Sequence, residues 1–71
     1  MIFIQTIGKQ IQERRKLLKI TQGDLSEISG VSLRTIKALE KGEVNPTVEI
    51  LIRVLEPLGL TLTTSERVKH E

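Results

Sequence analysis

Residues 21–46 read TQGDLSEISGVSLRTIKALEKGEVNP and hold two short helical segments, each followed by a glycine. Thr21 is a good N-cap, and Asp24 stands three residues later, the spacing of a capping box with Asp in place of Glu or Gln. Leu25 and Ile28 follow at helical spacing, and Gly30 stands where a left-handed closing residue is needed. These signals predict a helix over 22–29. Val31 is an apolar hinge. Ser32 caps a second helix predicted over 33–41, with Ile36 and Leu39 facing inward and Gly42 closing it after the cation Lys41. The outward positions of that helix are Leu33, Arg34, Lys37, Ala38 and Lys41.

Upstream, Ile7, Ile11 and Leu18 share one stripe, and Thr6 can cap it, so a helix is predicted over 6–19. Arg15 falls close to the apolar stripe and needs a partner. Downstream, Asn45-Pro46 makes a turn and Thr47 a cap. Val48, Leu51, Ile52, Val54 and Leu55 then give a broad apolar surface, predicting a helix over 48–58 that Pro57 begins to end and Gly59 completes. Leu60, Thr61, Leu62, Thr63 and Thr64 alternate apolar and polar β-branched residues, a strand signal over 60–65. A lone strand needs a partner. Ile2-Phe3-Ile4 of the same chain is one candidate. The same strand of a second subunit is the other, and it is favoured because it would also enlarge a thin core.

The chain has 71 residues, so a single domain over 1–71 is expected, an all-α fold of four helices plus the short strand. It has no cysteine, one aromatic residue, Phe3, and one histidine, His70. A disulfide framework, a thiolate metal site and a cysteine nucleophile are excluded. No Gly-rich phosphate loop or paired-carboxylate motif is present, and neither catalysis nor a cofactor nor a bound metal is expected. Base stacking by Tyr or Trp is impossible, which disfavours single-stranded RNA. No stretch approaches the roughly 20 apolar residues of a membrane span, and no basic segment precedes the first apolar residues, so a soluble cytoplasmic protein is expected. The formal charge of +2 is uneven. Lys9, Arg14, Arg15, Lys16, Lys19, Arg34, Lys37 and Lys41 face only Glu13, Asp24, Glu27 and Glu40 in the first 41 residues. The remainder is net acidic. Such asymmetry fits either a polyanion-binding face or an ordinary solvated helix surface.

Two short helices meeting at a glycine-containing turn, the second with a polar outer face, form a helix-turn-helix arrangement. Residues 21–46 resemble the Xre/Cro-type helix-turn-helix repressors through Thr21-Gln22, Leu25, Gly30-Val31-Ser32, Ile36, Glu40, Gly42 and Asn45-Pro46, and the resemblance extends over about residues 6–59. It implies a compact lambda-repressor-like domain whose second helix enters the major groove of a double-stranded DNA operator. It also implies that Arg15 pairs with Glu40 as a structural ion pair. The segment LGLTLTT, residues 58–64, resembles the terminal strand of HipB-type antitoxins, which implies a homodimer with a two-stranded lid and a HipA-like toxin kinase as a possible protein partner.

The same resemblance assigns the site residues. Gln22 matches a phosphate contact at the start of the first helix. Leu33 and Arg34 match the first base-reading positions. Arginine suits guanine, whose O6 and N7 it can grip with two hydrogen bonds. Leu33 departs from the commoner polar readers and is either a thymine-methyl contact or a plain exposed leucine. Ser32 is a cap on any reading, with a phosphate contact as a second role. Thr35 faces a phosphate. Lys37 either reads guanine or neutralises phosphate, Ala38 offers a methyl contact or clearance, and Lys41 is electrostatic. Thr47 opens the last helix, near a further phosphate. Gly23 is either an allowance for close backbone approach or a tolerated glycine. A helical module that binds a protein without specific DNA binding is the competing class.

Overall fold

The computed structural model describes residues 2–63. Four helices, α1 (Ile2–Leu17), α2 (Gln22–Ser29), α3 (Leu33–Lys41) and α4 (Val48–Leu55), are followed by a 3-10 turn over Glu56–Leu58. Their inner faces meet on Ile11, Leu25, Ile36 and Val54, all fully buried, with Leu39 and Leu58 beside them. Among the described residues no helix is long and apolar enough to cross a membrane.

Helix α1 starts at Ile2, ahead of the Thr6 cap that the sequence suggests. The physical reason is the extra turn's own apolar residue. Ile4 is buried and continues the stripe of Ile7 and Ile11 upstream. Gln5 lies against Gly42, where a Cβ would approach its Cγ to 2.6 Å. The N-terminal turn therefore rests on the end of α3, and Thr6 lies within the helix. Leu18, expected on the buried stripe, is instead 42% exposed. The helix ends at Leu17, Lys19 takes the left-handed conformation at φ 59°, and the Ile20 N–H returns to the Arg15 carbonyl at 3.2 Å. This closure hands the inward position to Ile20, which packs against the core.

Gly8 marks where α1 crosses α3. A Cβ on it would overlap the Leu39 carbonyl oxygen and approach the Glu40 carbonyl to 3.2 Å. Both obstacles are backbone and cannot rotate away. Gly8→Ala is expected to cost about 1–3 kcal/mol in overpacking, offset by up to about 1 kcal/mol of helix propensity. Urea unfolding should show a lower midpoint. An unchanged midpoint would mean that α1 can slide on α3 without loss.

Helices α2 and α3 have the predicted limits, and α4 is shorter than predicted. Pro57 has no N–H to give the Arg53 carbonyl, so the chain tightens into the 3-10 turn at Glu56. Gly59, at φ 73°, then closes it, and the Leu60 N–H bonds the Leu55 carbonyl at 3.0 Å.

The expected strand is not formed. Leu60, Thr61, Leu62 and Thr63 have no regular structure, and Thr64 lies outside the described residues. Among the described residues no partner strand is available: Ile2-Phe3-Ile4, the intrachain candidate, is consumed by α1. Among the described residues the fold is all-α without a strand.

Candidate nucleic-acid interface

Helix α3 has two opposed faces. At roughly 100° per residue, Arg34, Lys37, Ala38 and Lys41 fall on one arc, and Ile36, Leu39 and Glu40 on the other. The first arc is outward: Arg34, Lys37 and Lys41 are exposed and Ala38 is half-buried. The second is inward: Ile36 and Leu39 are buried, and the Glu40 side chain is 2% exposed. Leu33, at the start of the helix, is 39% exposed. Three cations thus line one ridge, one turn apart.

The angle between α2 and α3 is set by hydrogen bonds that the sequence reading did not anticipate. Val31 is buried, so its main-chain groups must find partners inside the protein. The Ser26 hydroxyl donates to the Val31 carbonyl at 2.6 Å, and the Val31 N–H donates to the Ser29 hydroxyl at 3.1 Å. Two serines of α2 therefore hold the hinge. Gly30 takes φ 74° at the end of α2.

Each helix of the pair is capped locally. The Thr21 N–H donates to the Asp24 carboxylate and the Asp24 N–H to the Thr21 hydroxyl, both at 2.9 Å. The Thr21 backbone N–H, and then its hydroxyl, holds the Asp24 carboxyl below its ordinary value of 3.8. A carboxyl lowered on folding stabilises the fold above its unfolded pKa, and the contribution disappears as pH falls through the folded value. A carbon-detected NMR titration of Asp24 is therefore expected to give a midpoint under 3.8, shifting back toward it in Thr21→Ala. A midpoint at 3.8 in the native protein would show that the box does not form in solution. On α3, the Thr35 N–H donates to the Ser32 hydroxyl at 3.2 Å, and the Ser32 hydroxyl gives its own proton to the Thr35 hydroxyl at 3.0 Å. Thr47 caps α4 by accepting from the Ile50 N–H at 3.2 Å.

Beneath the interface lies a buried ionic network. Arg15 Nε meets Glu40 Oε2 at 2.7 Å, and a second guanidinium nitrogen meets Oε1 at 3.0 Å. The remaining arginine nitrogen donates to the Ile20 carbonyl at 3.0 Å. Gln22 Nε2 also donates to Glu40 Oε1 at 3.0 Å. The hydrogen bonds that Arg15 donates to Glu40 raise the Arg15 pKa above its ordinary value, burial opposing them. The charge stays on Arg15 at every accessible pH. Gln22 is thus half-buried and engaged inward through one amide proton.

Arg14, one of the bases of the first 41 residues, is half-buried, and its Nε donates to the Leu58 carbonyl at 2.8 Å. Two of the eight bases in the first 41 residues are therefore committed inside the fold. Lys9, Lys16 and Lys19 are exposed. A Cβ on Gly23 would meet only the Thr21 hydroxyl, at an ordinary 3.7 Å. Nothing among the described residues requires a glycine there. Among the described residues there is also no group of three or more His, Asp or Glu side chains able to hold a metal.

A model of the helix-turn-helix family matches residues 11–64, and the chain belongs to that family, in its Xre/Cro-type form. A protein of Methanococcus maripaludis strain S2, provisionally named an HTH-type transcriptional regulatory protein, is 42% identical over 60 residues. That match covers 84% of this chain and 18% of the archaeal protein. An uncharacterised HTH-type transcriptional regulator of Haemophilus influenzae is 42% identical over 55 residues, which cover 78% of this chain and 56% of the relative. Another from Methanothermobacter thermautotrophicus is 45% identical over 49 residues, covering 69% and 71%. The chain thus spans under a fifth of the Methanococcus relative.

Proposed function

We propose that the chain is a sequence-specific, double-stranded DNA-binding transcriptional regulator, acting as a repressor, that lays α3 in the major groove. The observation that carries this reading is the cationic ridge of Arg34, Lys37 and Lys41, exposed on α3 opposite its buried face. A groove roughly 12 Å wide admits a helix with its side chains. Arg34, near the helix start, is the specificity residue and grips a guanine. Leu33 beside it offers apolar contact to a thymine methyl. Lys37 and Lys41 neutralise phosphates, and Ala38 gives clearance between them. Ser32 has spent its hydroxyl proton on Thr35, so Thr35 is the member of that pair that donates to a phosphate. Gln22 anchors the start of α2 to the opposite backbone. The names of the relatives support the regulatory role.

Two copies would read an inverted repeat, with their α3 helices roughly 34 Å apart. Leu60 to Thr63 pairing across the two-fold axis would supply the strand partner that is absent among the described residues of one chain. Val48, Ile52 and Leu62, exposed at 61%, 43% and 38%, offer apolar surface for such a dimer. An antitoxin acting with a HipA-like kinase is a narrower form of the same reading. It would need a further protein-binding surface, for which Leu17 and Ile28 are the most exposed apolar side chains away from α3 and α4.

The test is a salt titration of binding to the DNA upstream of this protein's own reading frame, beside a scrambled fragment. A specific repressor is expected to separate the two by at least ~10³ in affinity at physiological salt. Both affinities should fall with rising salt as counterions are released. Equal affinities would remove autoregulation by sequence, and no binding even at low salt would leave the protein-interaction module.

A further inference from the structure

Glu40 lies in the last turn of α3, far from Arg34, yet it touches the residue that opens α2. Its buried carboxylate accepts two hydrogen bonds from Arg15, which balance its charge, and a third from Gln22 Nε2. The third bond is not needed for neutrality. The half-buried Gln22 could satisfy its amide in water. A carboxylate can only accept, so it dictates which end of the amide faces it: Nε2 turns inward and Oε1 turns away. One N–H of the amide remains unassigned. Arg15 adds a second constraint, because its donation to the Ile20 carbonyl holds the main chain just ahead of the Thr21 cap. Side chain and backbone at the start of α2 are thus held from the same buried pair. A glutamine already held in one orientation loses less freedom when a ligand takes its remaining donor.

We propose that Glu40 is a positioning residue for DNA binding: its carboxylate fixes the Gln22 amide so that the free N–H is presented to a backbone phosphate at the start of α2. This rests on the DNA-binding reading given above. Glu40 itself touches no DNA and acts through Gln22, with Arg15 holding the carboxylate in turn.

The test is a double-mutant cycle in which the fold is kept. Arg15→Met with Glu40→Leu exchanges the ion pair for an apolar one, the kind of replacement buried pairs commonly tolerate. Gln22→Ala is then made in the native and in the exchanged background. Binding is measured to a random duplex of about 20 base pairs at low salt, where phosphate contacts dominate. Gln22→Ala is expected to weaken binding about tenfold in the native background and less than about twofold in the exchanged one. The dependence of log affinity on log salt should keep its slope, because a neutral amide displaces no counterion. Equal losses in the two backgrounds would overturn the proposal, since a purely structural Glu40 makes the effects additive.

A measurement on the unaltered protein guards against variants that do not fold. The Gln22 side-chain amide proton on Glu40 is expected to exchange with solvent about tenfold more slowly than its geminal partner. Equal, fast exchange of both overturns the proposal. The regulator reading fails differently, through equal affinity for the upstream and scrambled fragments. The coupling to Gln22 stays measurable in that case, because phosphate contacts carry no sequence information.

Discussion

Glu40→Ala is expected to destabilise the domain by about 3–5 kcal/mol, a large share of what a domain this small possesses. The loss has a specific source. Arg15 would keep its charge in a site where its side chain is 10% exposed, with the Ile20 carbonyl left as its one hydrogen-bond partner among the described residues. Burying an uncompensated charge costs far more than the pair contributes as a pair. The same reasoning predicts that Arg15→Ala is comparably damaging and that exchange of both residues for apolar ones is close to neutral. Chemical denaturation of the four proteins distinguishes the cases. Single variants losing under about 1 kcal/mol would place the pair in the class of exposed ion pairs. The Glu49–Arg53 bridge on α4, with side chains 73% and 53% exposed, is the internal control and is expected to contribute little.

Arg34→Ala is expected to remove about 1–3 kcal/mol of discrimination per half-site, roughly 5- to 150-fold each, and both half-sites of a dimer would lose it. Affinity for the upstream fragment should drop toward that for the scrambled one. Arg34→Lys should not restore it, because an ammonium cannot reproduce the two-pronged grip on guanine. Lys37→Ala makes a contrast. It should weaken both fragments by a similar factor and lower the salt slope by about one. If Arg34→Ala leaves the ratio of the two affinities unchanged, base reading belongs to another residue. Leu33 would then be the next position to test.

The helices of the pair are legible because their punctuation is local. A capping box, two N-caps and two closing glycines all lie within a few residues of the ends they define. The ends of α1 are not legible for the opposite reason. Ile4 and Gln5 extend the helix because Gly42 and its neighbours receive them, and that surface exists only after α3 has folded against α1. Leu18 yields the inward position to Ile20 because Lys19 accepts a left-handed conformation without being glycine. Only a tertiary gain explains that choice. Arg14 looks like one of a run of surface cations, and its partner is a carbonyl 44 residues away. Gly8 shows only as a glycine within a helical pattern, a hint of close packing but not of its partner. On the interface itself, the alternation of buried and outward residues on α3 was readable from spacing. The inward turn of Gln22 was not, since it depends on where Glu40 stands relative to a different helix.

The bond from Arg14 to the Leu58 carbonyl ties the first helix to the last turn. During synthesis on the ribosome, α1 emerges ahead of α3 and the last turn, the surfaces it rests on. Gly8 must wait for α3, and Arg14 must wait for residue 58. Ile4, Ile7 and Ile11 have no cover until α3 has emerged, and Arg14 has no carbonyl to meet until Leu58 has. Where further sequence follows such a domain, the trailing chain holds the last turn clear of the tunnel while α1 closes on it.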